Sequence, residues 1–157
     1  MTTARHRTLG WAVSSGLMVI VAGCASPTTS AEVSESDTAP CTPATQEQIQ
    51  DLIQAQSTAL EDRDFASAYL FASPSFRAAV DLRDFERVIS RQYEMLLYAE
   101  ELSFGACEVV DDGLAQMTVE VVSRFYEPAE LVYSMVFSDG QWWVSAVENS
   151  LIIVPNA

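Results

Sequence analysis

Lysine is absent from this 157-residue chain, and its single histidine, His6, lies near the N-terminus. Serine and cysteine hydrolases set their nucleophile beside a base that is usually histidine. With no histidine after position 6, the body of the chain is unsuited to that chemistry and to zinc sites built from His and Cys. Glycine is also scarce, with six residues scattered along the chain and no phosphate-cradling loop among them. The eight basic side chains are all arginine and face 22 acidic residues, for a formal charge of −14. Such a surface repels phosphate backbones and anionic head groups, so no nucleic-acid partner is expected and most acids belong to a solvated face. No metal site and no cofactor motif emerges. A helix that crosses a bilayer needs about 20 apolar residues. The apolar run from Leu9 to Ala22 is shorter and is broken by Ser14-Ser15-Gly16.

That run has a layout of its own. Arg5, His6 and Arg7 precede it, and Val21-Ala22-Gly23-Cys24 closes it. A positive start, a short apolar middle and small residues at the exit make a secretory signal peptide. Cysteine directly after Ala22-Gly23 makes the segment resemble the lipobox of a bacterial lipoprotein. An ordinary cleavage site is A-x-A-like, a role that Ala22-Gly23-Cys24-Ala25 fills poorly. The resemblance implies removal of residues 1–23 and fatty acylation of Cys24, palmitate included, on the extracytoplasmic face of the cell membrane. Each buried methylene contributes about 0.8 kcal/mol and one chain holds only reversibly, so stable anchoring needs two or more. Cleavage removes Arg5 and Arg7 and no acid, which takes the charge from −14 to −16. Ala25 is not the Asp expected of an inner-membrane retention signal.

Three regions follow: a signal peptide over 1–23, a lipidated cysteine with an acidic tether over 24–40, and a folded domain over 41–157. The tether is rich in Ser, Thr, Pro and acids and cannot bury a core. A coil of its length reaches on the order of 20 Å. Cys41 and Cys107 are the remaining cysteines. Outside the cytoplasm such a pair tends to oxidise, the alternative being two separate buried thiols.

In the domain, Thr45 with Gln48 predicts a capping box, and Ile49, Leu52, Ile53, Gln56, Ala59 and Leu60 predict a helix to about Asp62. A second helical stretch covers Phe65 to Phe71. Ser73-Pro74 predicts an N-cap with proline in the first helical position, and the turn runs through Ala79. Asp81 or Asp84 opens a further helix with Phe85, Val88, Ile89, Gln92, Tyr93 and Leu96 on one face. The period then changes to two. Strands are predicted over 102–110, 114–125, 130–138 and 141–149, with turns at Asp111-Asp112-Gly113, Glu127-Pro128-Ala129 and Asp139-Gly140. Helices followed by an antiparallel meander make an α+β fold, with helices packed on one face of a curved four-stranded sheet.

Several segments in this order carry a resemblance. They are Ile53-Gln54-Ala55-Gln56, Asp64-Phe65-Ala66-Ser67-Ala68-Tyr69 and Phe71-Ala72-Ser73-Pro74-Ser75-Phe76-Arg77, then Phe85 with Tyr93, and Asp139-Gly140-Gln141-Trp142. Together they look like the cone-shaped nuclear-transport-factor-2-like (cystatin-like) superfamily, and within it domain-of-unknown-function family 4864. The resemblance implies the cone-like fold and carries no established activity. Superfamily isomerases and cyclases place carboxylates and tyrosines inside the cone, where burial raises a carboxyl pKa toward proton transfer.

By that analogy Glu120, which interrupts the apolar run Met117 to Val122, and Glu148, on a strand face with Trp142, Val144 and Ala146, are candidate bases beside Tyr133 or Tyr93. The bland alternative puts both glutamates on a solvated side, with Glu120 near Arg124. Arg83, Arg87 and Arg91 form an i, i+4, i+8 stripe suited to an anionic ligand or acidic partner, or else to local pairing with Asp84, Glu86 and Glu94. Trp142 and Trp143 point to opposite faces of a strand, so one should be core and the other is a candidate ligand or partner contact. Three functions fit: a lipid-anchored module that binds a small apolar ligand or a protein partner, a proton-transfer enzyme of isomerase or lyase type, and a structural accessory that forms a homodimer through its sheet.

Overall fold

Thr42 and Pro43 set the start of the first helix, α1 (Pro43–Glu61), in a computed structural model that describes residues 38–150. The signal segment, Cys24, the tether up to residue 37 and the apolar tail from Leu151 lie outside the described residues. Proline suits the first helical position because its missing N–H needs no partner there. The Thr42 hydroxyl accepts from the Thr45 amide at 3.2 Å. The cap therefore sits one turn earlier than the Thr45–Gln48 box predicted. Ile49, Ile53, Gln56, Ser57 and Leu60 form the buried stripe of α1.

Short helices follow, each capped by an oxygen of the expected type. Arg63 takes a left-handed φ of 59°. Asp64 then caps α2 (Phe65–Leu70), accepting from the Ser67 amide at 3.0 Å and the Ser67 hydroxyl at 2.6 Å. Those bonds hold the Asp64 carboxyl below its ordinary pKa. Ser73 caps α3 (Pro74–Ala79), and Asp81, the first of the two candidates, caps α4 (Leu82–Gln92). The predicted face through Leu96 does not belong to one continuous helix. α4 stops at Tyr93, and a 3-10 turn, Glu94–Tyr98, carries Leu96 and Leu97 into the core.

The sheet is an antiparallel meander in the order β1-β2-β3-β4-β5. Its long members are β2 (Ala99–Asp111), β3 (Leu114–Ser123), β4 (Ala129–Ser138) and β5 (Gln141–Asn149). It has five strands rather than four. β1 (Ala39–Pro40), assigned to the tether by composition, pairs with Val109 and Glu108. A Cys41–Cys107 disulfide with Cα atoms 5.4 Å apart holds it there, together with the Cys41 amide donating to the Cys107 carbonyl at 2.9 Å. Pro40 donates no ladder bond, which an edge strand tolerates.

Register shifts interrupt β2 at three places, between Ala99 and Glu101, Phe104 and Cys107, and Val109 and Asp111. Extra residues of this kind bend a strand and increase its twist. The β4–β5 turn has Asp139 at φ 54° and Gly140 at φ 80°, the conformation of a tight two-residue hairpin. Helices cover one face of the sheet. Met117, Val119 and Val121 of β3, with Leu131, Tyr133 and Met135 of β4, meet Ile49, Ile53, Leu60, Phe85 and Ile89 in a single core. The architecture is thus α+β with helices on an open five-stranded antiparallel sheet.

Candidate functional site

The helical cover does not seal the sheet everywhere. Between α1, α4 and the β4–β5 pair lies a cavity of about 230 Å³. Phe85, Val88, Ile89 and Gln92 face it from α4, Tyr93 and Leu96 from the segment after α4, Gln56 and Leu60 from α1, and Tyr133 from β4. All six residues of the predicted face from Phe85 to Leu96 thus line the cavity, although a helix end divides them. Val88 and Gln92 are exposed, as is Ala146 across from them on β5, and they form the mouth.

The β5 wall owes its shape to one extra residue. Met135 pairs with Val144 and Ser134 with Ala146, so Ser145 has no opposite number. Its hydroxyl donates to the Ser134 carbonyl at 2.9 Å. Beyond this bulge, Val147 pairs with inward Tyr133 and Glu148 pairs with Val132. A one-residue offset moves every later side chain to the other face. Glu148 is therefore exposed rather than on the face of Trp142 and Val144, which corrects the expectation. The Ala-Ser-Pro element docks at the same place. Val144 donates to the Phe71 carbonyl at 3.0 Å and Ser73 donates to the Val144 carbonyl at 2.8 Å, covering part of the edge of β5.

Polar groups in the cavity are few. The Tyr93 hydroxyl donates to the Val147 carbonyl and ties the end of α4 to β5. Burial first, and the Glu148 charge second, push its pKa up. Gln56 is buried and donates from Nε2 to the Ala68 carbonyl at 3.2 Å. Tyr133 is 1% exposed, and burial, with Tyr93 beside it, pushes its phenol well above the ordinary value. Among the described residues no Asp, Glu or Arg lines this cavity.

The other predicted site residues lie elsewhere. Glu120 is exposed and stands opposite Glu130 in the β3–β4 register. It does not meet Arg124, which pairs with Glu100 at 2.8 Å. The carboxylates proposed as buried bases are thus both on solvated positions. Arg83, Arg87 and Arg91 are exposed along α4. Of the three, Arg87 pairs with Asp84 at 2.7 Å, and neither Arg83 nor Arg91 has an ion-pair partner among the described residues.

Neither tryptophan is a full core residue. Trp142 meets Phe137 edge-on, with ring centres 5.2 Å apart and planes inclined by 60°. Trp143 donates from its indole to the Ser138 carbonyl at 3.1 Å and lies under the Arg77 guanidinium, 5.2 Å away. Both border a second, more open groove with Leu52, Leu70, Phe71 and Asp51.

Sequence reasoning did not single out Gln56 as a site residue. The signal was a polar side chain at an inward helical position between Ile53 and Leu60.

The sequence profile of a family described as "Domain of unknown function (DUF4864)" matches residues 42–151, and the chain belongs to that family. No curated protein matches the chain.

Proposed function

We propose that this DUF4864 protein is a lipid-anchored module of the bacterial cell envelope whose domain, a cone of the nuclear-transport-factor-2-like type, binds a small apolar ligand. The observation that carries the binding role is the cavity of about 230 Å³ with its largely apolar wall and its mouth at Val88, Gln92 and Ala146. A cavity of about 150 Å³ is enough to hold benzene. With no carboxylate on the wall among the described residues, a buried general base has no group to supply it. Pairing of two copies through the outer sheet face is opposed by Glu120, Glu130 and Glu148, all exposed there.

The cavity is tested with toluene, followed by ligand-observed NMR on the purified protein. Toluene binds the wild type, and Ala146→Trp, which fills the mouth from an exposed position, weakens binding at least tenfold. Equal binding by both proteins excludes the cavity as the site.

The anchor rests on Val21-Ala22-Gly23-Cys24, in the segment outside the described residues. A clickable fatty acid fed to growing cells is expected to label the wild type and not Cys24→Ser, and the variant is expected to leave the membrane fraction. An unlabelled wild type removes the lipoprotein assignment.

A further inference from the structure

The polar atoms of the cavity define what it takes, granted that it binds a ligand at all. Among the described residues, every side-chain nitrogen or oxygen sealed from accessible space has a hydrogen-bond partner. The Tyr133 hydroxyl makes no hydrogen bond among them, so it borders accessible space, and the space that Tyr133 lines is the cavity. The same holds for Gln56. Its Nε2 is committed to the Ala68 carbonyl, which settles the orientation of the amide, and its Oε1 has no partner there. Both side chains are more than nine-tenths buried. The Tyr93 hydroxyl already gives its proton to the Val147 carbonyl, and the Ser145 hydroxyl gives its own to the Ser134 carbonyl. Below the mouth, where Gln92 is open to solvent, the buried wall thus offers one free donor, Tyr133 O–H, and one free acceptor, Gln56 Oε1.

We infer that the cavity selects a small neutral alcohol or amide on an apolar body, whose oxygen accepts from Tyr133 and whose proton goes to Gln56 Oε1. A cavity of about 230 Å³ suits a ligand of about ten non-hydrogen atoms, scaled from benzene in about 150 Å³. Anions are rejected because no cation lines the wall among the described residues and the Glu148 charge acts on Tyr93 at the same end. The raised pKa of Tyr133 keeps its phenol a donor at physiological pH.

The test compares benzyl alcohol, benzamide, ethylbenzene and benzoate by NMR titration of the full chain and its Tyr133→Phe variant. Phenylalanine fills the same space, and its own melting curve reports whether the variant folds. Losing one matched hydrogen bond corresponds to about tenfold in affinity. Tyr133→Phe is expected to weaken benzyl alcohol and benzamide by that factor and to leave ethylbenzene unchanged, while benzoate does not bind either protein. Unchanged affinity of both polar ligands in the variant, or benzoate binding as tightly as benzamide, overturns the selectivity and leaves an apolar binding site standing. No binding of any of the four overturns the ligand-binding function itself.

Discussion

Replacing Cys41 and Cys107 by serine is expected to cost about 4 kcal/mol of stability. The disulfide spans a sequence separation of 66, and closing a loop of that size restricts the unfolded chain by about this amount in the chain-entropy model. For a domain near 100 residues that corresponds to a fall in melting temperature of about 15–25 °C. The native state loses something as well. Once the crosslink is gone, β1 and the start of α1 are held to the sheet by a two-residue pairing and the main-chain bond from residue 41 to residue 107. Urea unfolding of the wild type, the double variant and the reduced wild type measures the effect. Agreement between the last two is expected. A double variant within about 1 kcal/mol of the wild type would show that the crosslink contributes little beyond the hydrogen bond from Cys41 to Cys107.

Tyr133→Ala is expected to cost about 3–5 kcal/mol, the range for truncating a large buried aromatic. Tyr133 is 1% exposed, sits mid-strand in β4, and fills the space between the cavity and the core residues of β3 and α1. Its removal enlarges an existing void, which leaves the neighbouring side chains without contacts on that side. Tyr133→Phe is expected to behave very differently, with a change of less than about 0.5 kcal/mol or a small gain. The hydroxyl has no hydrogen bond among the described residues, so the substitution breaks none and removes a partly desolvated polar group. Denaturant unfolding of both variants, without ligand, separates these effects. A cost above about 1.5 kcal/mol for Tyr133→Phe would mean that the phenol is bonded in the native state and not free to receive a ligand.

Much of this domain was legible from local patterns. The period change after the helices, the Ser73-Pro74 cap and the Asp139-Gly140 turn depend on residues within a few positions of one another, and each has its expected form. The cavity-lining face of α4 was visible for the same reason, as apolar residues at helical spacing. Thr45 with Gln48 has the pattern of a capping box, yet Pro43 suits the first helical position and Thr42 supplies the capping oxygen, so the helix starts earlier. Ala39 and Pro40 read as tether by composition, yet the crosslink at Cys41 makes them a strand.

The face of Glu148 shows where local reading stops. Strict alternation from Trp142 puts it inward, and the alternation fails at Ser145 because the opposite strand offers no partner for that residue. A bulge is a property of two strands, so no periodicity within β5 announces it. The cavity is non-local in the same sense. Gln56, Gln92 and Tyr133 come from three elements, and whether they enclose space depends on how closely α4 packs on β5.

The sequence alone thus determined the helices-then-meander order, most caps and turns, the acidic charge and the signal-like N-terminus, because these are short-range or compositional. The tertiary structure decided which carboxylates stay in water, which polar groups remain unpaired, and that a cavity exists between them. Register and packing depend on contacts between residues far apart in the chain, and those contacts place Tyr133 rather than Glu120 or Glu148 at the centre of the candidate site.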